Sequence, residues 1–521
     1  MSATAAPTAA PRPTLAGGFT LGPWDTVPMG ALAVGCLVAV AAAIALSGFD
    51  LNVNRLILAV CFGLLVPFLL HQSRHFGLLS PGLLLGLSFI YFNLIIPLEA
   101  EVNTGLPASF YAIMPWVDRA HLTRPLVATL FGAVGLLVGY GLGVAPHKGR
   151  SQTYWELPGD PERLRRGGWV LVGVGGAMYF AGITMATGSP IGFYTVSYLE
   201  RVELMPSVGV LGNGLALLYV GAMIVVAGYF GDQACPRRLP AFCLVVAFGL
   251  HSVLAGAKVH IFIVGAAALA AHQLCRHRAQ QLRASTLGPM AAVALVAGLM
   301  IAINPMRARL GLGFGEMADF AKSEFDPQFL NPANVDAQGP YATLYAVAND
   351  TVLVGPEYGQ SYWNAILHLP PGWLLPDRWP GLHDRFADKM LEANAPSVAG
   401  FAFSAVAEGY LNFGFLGSAL HLAVLGWLAG AASRVLRVNR GNLRGVIVAA
   451  FAGPWLAMAI RMNSDTAVRE TVAFMLVPLL VNDWLSTPRG REARPPAPPE
   501  GLGPAAGGPG LTGDAAALPP G

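Results

Sequence analysis

The sequence predicts an all-α polytopic membrane protein with about twelve transmembrane helices, and three observations lead to this class. Only 12% of the 521 residues are charged and 54% are hydrophobic, whereas about a quarter of the residues in soluble domains are charged. Apolar runs close to the roughly 20 residues that a bilayer-crossing helix needs recur along the chain. A long polar segment, residues 304–403, interrupts these runs.

The apolar runs divide the chain into five parts. Residues 1–22 and 486–521 are rich in Ala and Pro, and this composition predicts disordered termini. Nine predicted helices occupy 23–303 and three occupy 404–485, on either side of the polar segment. In order, the twelve predicted helices are 27–48, 54–71, 76–98, 124–145, 168–187, 207–231, 239–256, 258–275, 286–303, 404–433, 445–461 and 467–485.

The polar segment 304–403 is aromatic and carries charges of both signs, which predicts a folded cap of short helices and turns. Two stretches, 315–325 and 340–353, have helical character. The proline-rich run LPPGWLLPDRWPG (369–381) cannot be helical throughout, because proline lacks an N–H group and restricts the residue before it. A large aqueous segment on a membrane-embedded chain is the expected place for a functional site.

The distribution of basic residues predicts how the chain is oriented. Lys and Arg concentrate in alternate short loops, at 148–166, 237–238, 276–283 and 434–444, and in the C-terminal tail. The positive-inside rule then places both termini in the cytoplasm and the segment 304–403 on the outer side. The net charge of +3 is too small to predict nucleic-acid binding.

No motif in the sequence predicts a metal or a cofactor. None of the five cysteines lies in the long segment, so a disulfide framework is not expected. Their spacing also lacks the Cys/His pattern typical of a metal site. A Walker loop, a G-x-S-x-G elbow and an H-E-x-x-H helix are also missing.

Two carboxylates are candidate proton-transfer groups. Ser404, Glu408 and Asn412 follow a spacing of i, i+4 and i+8, which forms a polar stripe on an otherwise apolar predicted helix. A half-buried carboxylate such as Glu408 suits proton transfer to or from a sugar hydroxyl. Asp465 is the second candidate. The alternative for Glu408 is a structural ion pair with one of the arginines.

Basic residues at outer helix ends are candidate ligands for a pyrophosphate or a sugar phosphate. Guanidinium groups stay charged and bind oxyanions bidentately. Arg461 and Arg469 share a short outer loop with Asp465 and Glu470, and this crowding indicates a phosphate clamp or a self-neutralising structural cluster. For the other basic residues of this set, the alternative is that they only flank a membrane-spanning helix. The candidates are Arg201, Lys258, Arg307, Arg309, Arg461 and Arg469.

Aromatic and amide side chains on the outer side are candidate glycan contacts. Tyr194, Tyr198 and Arg201 are spaced to share one helical face, which favours either sugar stacking or an interfacial aromatic belt. The candidates are Tyr194, Tyr198, Tyr358, Tyr362, Trp363, Tyr410 and Asn412.

Four stretches resemble one bacterial family. They are SAVAEGYLNFGFLG (404–417), YGQSYWNAILHLPPGWLLP (358–376), RMNSD (461–465) and GAKVHIF (256–262). Together with the helix pattern, the region from about 190 to 470 is similar to the oligosaccharide repeat-unit polymerases, the Wzy type of O-antigen polymerase. The N-terminal helices match that family only in hydropathy.

This resemblance implies a GT-C-like, metal-independent glycosyltransferase of the bacterial inner membrane. It would transfer a growing glycan from undecaprenyl pyrophosphate to another lipid-linked repeat unit at the periplasmic face, building O-antigen or exopolysaccharide. The outer arginines would bind the donor pyrophosphate and stabilise its charge as it leaves. The implied partners are the lipid-linked donor and acceptor, with a chain-length regulator and a flippase in the same membrane.

Two other functions stay open. An O-antigen ligase uses the same donor and a different acceptor, and a histidine of the large loop acting on the acceptor would favour it; His368 and His383 lie there. A transporter or flippase for lipid-linked glycans would carry ionisable groups at mid-membrane and repeated halves. The charges here concentrate at outer helix ends, which favours the enzyme.

Overall fold

The computed structural model describes residues 38, 52–76, 80–102, 118–144, 161–192, 211, 213–231, 239–255, 338–353, 356–370, 374–375, 379–392, 402–438, 443–472, 476 and 480. Within these residues all regular structure is helical and no strand occurs. The all-α class predicted from the sequence is therefore confirmed for the described part of the chain.

The described residues contain thirteen α-helices, numbered in chain order, and a 3-10 turn at Arg119–Leu122. They are α1 (Val53–His75), α2 (Pro81–Asn93), α3 (Ile95–Val102), α4 (Thr123–Val144), α5 (Pro161–Thr187), α6 (Asn213–Gly231), α7 (Leu239–Ala255), α8 (Gln338–Ala348), α9 (Gln360–Leu367), α10 (Leu382–Glu392), α11 (Ala405–Val438), α12 (Leu443–Ala459) and α13 (Ser464–Thr471).

Four of these helices, α1, α4, α5 and α11, are long and apolar enough to cross a membrane, judged by length and composition. The pair α2–α3 is bent by 46° and makes a fifth candidate if it forms one span. These helices indicate a membrane protein. The total of about twelve stays a prediction. Helices α6 and α7 contain shorter apolar stretches, Gly214–Val226 and Leu239–His251, and 258–275, 286–303 and all of 27–48 except Val38 lie outside the described residues.

The central pair of helices is α4 and α11, which pack along much of their length. Glycine permits their close approach: a Cβ added at Gly139 would overlap the Ala423 carbonyl oxygen, and one at Gly135 would overlap the Ala419 carbonyl oxygen. Small residues let helix backbones approach within van der Waals distance in an apolar medium. Around this pair, α2 packs on α12 and α5 packs on α6.

Helix α11 is broken, and the prediction of one continuous helix over 404–433 is wrong in this respect. Phe413 and Gly414 have non-helical backbone angles, with Gly414 at φ 62° and ψ −147°. The Ser418 hydroxyl donates to the Val406 carbonyl oxygen at 3.0 Å, although twelve residues of straight helix span about 18 Å. The residues before the break, 405–412 (the short arm), therefore fold back on the residues after it, 415–438 (the long arm).

The long polar segment contributes to the hydrophobic core. Tyr341 and Tyr345 of α8 are buried against neighbours that include α2, α4 and α11. The Tyr345 hydroxyl donates to the Asp118 carbonyl oxygen at 3.0 Å. Helix α8 ends at Ala348, before the predicted limit of 353, and the predicted helix 315–325 lies outside the described residues.

Candidate functional site

Glu408 lies at the centre of a buried polar cluster built by three elements. Its Oε1 accepts a hydrogen bond from the Ser361 hydroxyl of α9 at 2.7 Å. Its Oε2 accepts from the backbone N–H of Ser464 at 2.6 Å and from the Ser464 hydroxyl at 3.0 Å. The side chain has no exposed surface. Glu408 thus joins the short arm to α9 and to the N-terminal end of α13, where a negative charge is favourable.

Asn412 completes this cluster one turn further along the short arm. Its amide nitrogen donates to the Ser361 hydroxyl at 2.7 Å and to the Glu408 carbonyl oxygen at 2.8 Å. Its side-chain oxygen accepts from the Gly359 N–H at 2.8 Å. Ser404, Glu408 and Asn412, the predicted stripe, are all fully buried, whereas Glu408 was expected to be half-buried.

The break in α11 leaves the last carbonyl groups of the short arm without helical partners. The segment before α9 supplies hydrogen-bond donors for these carbonyl groups. The Glu357 N–H donates to the Leu411 carbonyl oxygen at 2.9 Å, and the Tyr358 N–H donates to the Asn412 carbonyl oxygen at 3.2 Å. Tyr358 and Gly359 adopt positive φ angles of 48° and 90° to make these contacts. The backbone of the polar segment therefore caps the broken helix.

Asp465 lies in the first turn of α13, beside a histidine of the polar segment. Its Oδ1 accepts from the Thr466 N–H at 2.6 Å and from the Asn463 side-chain amide. Its Oδ2 is 3.5 Å from Nδ1 of His368, whose Nε2 is 3.0 Å from the Trp379 carbonyl oxygen. Both partners of the imidazole are acceptors, so the neutral ring can donate to one of them and the imidazolium to both.

The loop before α10 packs against Asp465 and His368. A Cβ added at Gly381 would lie 2.7 Å from Asp465 Oδ2 and 3.1 Å from Asp384 Oδ2, so glycine permits the approach. Arg385 forms a bidentate ion pair with Glu357, at 2.7 and 3.1 Å, and its guanidinium lies 5.9 Å from the centre of the Trp379 ring. This pairing ties α10 to the segment that caps the short arm.

Arg461 and Arg469, the two described arginines of the candidate site, both interact electrostatically with the Glu470 carboxylate. Arg461 follows Ile460, whose carbonyl oxygen accepts from the Ala405 N–H at 2.9 Å at the start of the short arm. The Arg461 guanidinium lies 5.5 Å from the centre of the Phe92 ring. Arg469 is exposed, one helical turn after Asp465. Among the described residues, neither guanidinium lies within 4.0 Å of a carboxylate oxygen.

Tyr362 of α9 borders the cluster, because its phenol interacts with the side chains of Asn412 and Glu408. Its hydroxyl is 3.1 Å from Nδ1 of His421 on the long arm, and its ring stacks on Phe413 with 6.5 Å between the ring centres. Burial, and to a smaller degree the Glu408 carboxylate, raises the pKa of the Tyr362 phenol above its ordinary value. The phenol therefore keeps its proton and can donate to His421.

Among the described residues, three further predicted glycan contacts, Tyr358, Trp363 and Tyr410, have side chains that form no hydrogen bond or ring contact with this cluster. Tyr410 points to the opposite side of the short arm and packs edge-on against Phe415. It lines a cavity of about 170 Å³ together with Val347, Asp350, Leu353, Pro356, Leu411 and Gly414. Tyr358 and Trp363 are exposed, with 78% and 61% of their surface accessible.

Six predicted site residues lie outside the described residues: Tyr194, Tyr198, Arg201, Lys258, Arg307 and Arg309. Conversely, the structure adds Ser361 and Ser464 to the candidate site, although the sequence did not indicate them. It also shows that His368 contacts Asp465. The run Asn463–Ser464–Asp465 has the composition of a helix N-terminus, which could have indicated that Ser464 N–H is available to an anion.

The described residues contain no group of three His, Cys, Asp or Glu side chains that could hold a metal ion. The structure brings together a buried carboxylate and a carboxylate–imidazole pair, and Arg461 and Arg469 lie four residues before and after Asp465 in sequence. Such a set can move a proton and bind an oxyanion. No protein-family model, curated protein or solved structure matches this chain.

Proposed function

We propose that the protein is a membrane glycosyltransferase that polymerises undecaprenyl-pyrophosphate-linked repeat units into O-antigen or exopolysaccharide at the periplasmic face of the inner membrane. The observation that carries this proposal is the Asp465–His368 pair, with Arg461 and Arg469 four residues before and after Asp465. Proton transfer and oxyanion binding are the two tasks in transferring a glycan from a pyrophosphate.

In this reaction an acceptor sugar hydroxyl attacks the anomeric carbon of the donor glycan. The new glycosidic bond forms as the bond from that carbon to the pyrophosphate oxygen breaks. The hydroxyl proton passes to Asp465, with His368 holding the carboxylate. The pyrophosphate leaves with its negative charge facing Arg461 and Arg469, as fixed cations lower the barrier where charge develops.

The contacts of the two carboxylates favour Asp465 as the base. Glu408 is fully buried and both of its oxygens accept hydrogen bonds, so in this conformation it holds the short arm, α9 and α13 together. Asp465 keeps a small exposed fraction, and its Oδ2 faces a titratable ring. Catalysis by Glu408 stays a prediction.

A ligase that transfers the finished glycan to a lipid A-core acceptor is the second candidate. A histidine of the large loop acting on the acceptor would favour the ligase, and His368 lies in that loop, where its ring contacts Asp465. Both enzymes would use the same donor, so the described arginines do not discriminate between them.

The test is a gene deletion in the host, with surface polysaccharide separated on a gel. Loss of long chains while single repeat units still reach the surface supports the polymerase. Long chains that accumulate on undecaprenyl pyrophosphate support the ligase. Repeat units trapped on the cytoplasmic side indicate a transporter or flippase and would overturn the catalytic proposal.

Complementing variants then test the site. Asp465→Asn is expected to lower the transfer rate by about 10²–10⁴-fold, the usual contribution of a general base. Arg461→Ala is expected to abolish long chains as well. Asp388→Asn, on the exposed face of α10, and Arg166→Ala, at the exposed start of α5, are the matched controls and should restore the full ladder. A complete ladder from Asp465→Asn would contradict its role.

A further inference from the structure

The outer face of α9 and the turn after it is an exposed apolar surface. It consists of Tyr358, Trp363, Ile366, Leu369, Leu374 and Leu375, and is called the α9 surface below. Large exposed apolar patches mark contact with a protein partner or a membrane.

This face is also free of charge. Residues 358–376 contain no Asp, Glu, Lys or Arg. The polar side chains of α9 point inwards, since Ser361 donates to Glu408 and Asn364 donates to the Pro380 carbonyl oxygen at 3.2 Å. His368 faces Asp465. Apart from Gln360 at the first position of the helix, the exposed residues of α9 offer few hydrogen bonds to a sugar.

The α9 surface continues into the exposed face of a candidate membrane span. The Phe413 ring stacks on Tyr362 and lies 3.4 Å from where a Cβ of Gly359 would be. From Phe413 an exposed apolar row follows the long arm at helical spacing: Phe413, Leu416, Leu420, Val424 and Trp427. The long arm belongs to a candidate membrane span, so this exposed apolar row is expected to face lipid.

We propose that the α9 surface is embedded in the boundary between lipid headgroups and acyl chains, and that the bilayer is its occupant. Tyrosine and tryptophan favour this boundary because their rings are apolar while their O–H and N–H groups stay hydrated. An amphipathic helix lies in the plane of the interface with its apolar face towards the acyl chains. Helix α9 then separates lipid from the Glu408–Asp465 cluster, and Tyr358 and Trp363 contact lipid in place of the predicted glycan.

The test measures where a spin label on this surface resides. The full chain, with its five native cysteines replaced by serine, carries a nitroxide at Ile366→Cys and is reconstituted in phosphatidylethanolamine–phosphatidylglycerol vesicles. Collisions with dissolved oxygen, which concentrates in lipid, are compared with collisions with a water-soluble nickel chelate. Leu420→Cys on the long arm is the lipid reference and Asp388→Cys on α10 is the aqueous reference.

The expected ratio of oxygen to nickel collisions at position 366 is several-fold above that at 388 and approaches that at 420. A label at Leu369→Cys provides a second position if the first variant does not fold, as judged by its circular dichroism and elution volume. A ratio equal to that at 388 would place the surface in water and overturn the proposal. Shelter from both reagents would also overturn it, because another protein chain would then cover the surface. None of these readouts requires glycan transfer.

Discussion

Glu408 shows how one side chain connects distant parts of this chain. Its carboxylate accepts hydrogen bonds from Ser361, 47 residues earlier, and from Ser464, 56 residues later. A buried carboxylate without such donors would be very unfavourable, because its charge would lose hydration without compensation. The three donors would in turn be left without acceptors if the carboxylate were removed. We therefore expect Glu408 to contribute to stability whether or not it takes part in the reaction.

Glu408→Ala should lower the free energy of unfolding by roughly 3 kcal/mol or more, since each buried donor left unsatisfied costs about 1–3 kcal/mol. Glu408→Gln keeps one acceptor oxygen and should cost less. Thermal unfolding of the detergent-solubilised protein measures both.

Glu162→Ala is the control for this pair of variants, because it removes a surface carboxylate paired with Arg166 and such exposed helix pairs contribute about 0.3–0.5 kcal/mol. If Glu408→Ala unfolded at the wild-type temperature and yet lost activity, the structural role would be excluded and a catalytic role favoured.

At the scale of elements, the broken helix α11 places the site. Straight continuation from Ser404 to Val438 would carry Glu408 away from Ser464, whereas the reversal at Phe413–Gly414 returns the short arm against the long arm. Gly409 and Gly417 make the reversal compact, because an added Cβ on either would overlap the backbone of the other. The freed carbonyl groups are capped by the segment 357–359. The glycines of FGFLG are thus required by backbone geometry.

Gly414→Ala should destabilise the protein by about 1–3 kcal/mol, since its φ of 62° with ψ of −147° is a conformation essentially confined to glycine. The matched control is Gly141→Ala in α4, where an added Cβ meets no atom within 4 Å. There alanine should be neutral or favourable by up to about 1 kcal/mol through helix propensity. Equal unfolding temperatures for the two variants would contradict the assigned backbone break.

At the scale of the whole molecule, the polar segment is an integral part of the described bundle. Helix α8 is buried beside α4 and α11, and Phe386 of α10 packs edge-on against Phe403 at the start of the short arm. Asp384, Asp388 and Lys389 of α10, by contrast, are exposed. The segment therefore contributes a core helix, a cap for the broken helix and one wall of the candidate site.

The predicted orientation can be measured on intact cells. In a cysteine-free chain, Asp388→Cys on α10 should react with a membrane-impermeant maleimide added from outside, because the positive-inside rule places 304–403 on the outer side. Arg166→Cys at the start of α5 should react only after the membrane is permeabilised. Labelling of both positions from the same side would contradict the predicted topology.

Part of the candidate site could be predicted from local sequence. The i, i+4, i+8 stripe of Ser404, Glu408 and Asn412 depends only on helical periodicity, whereas the full burial of Glu408 exceeds the half-burial expected from the sequence. Asp465 follows Asn463 at a helix start, which composition also indicates. Ser361, Ser464 and His368 could not be assigned to the cluster in this way, because their partners lie far away along the chain. The exposure of Tyr358 and Trp363 was likewise not predictable from their aromatic character.

The sequence by itself determined the all-α class and the membrane character of the described helices, because hydropathy and helix length are local properties that a bilayer selects directly. Only the tertiary structure decided that α11 reverses at Gly414, that α8 is a core helix, and that Glu408, Asp465 and His368 come together. These features depend on long-range packing and on donors that satisfy a buried carboxylate, and no window of neighbouring residues contains that information.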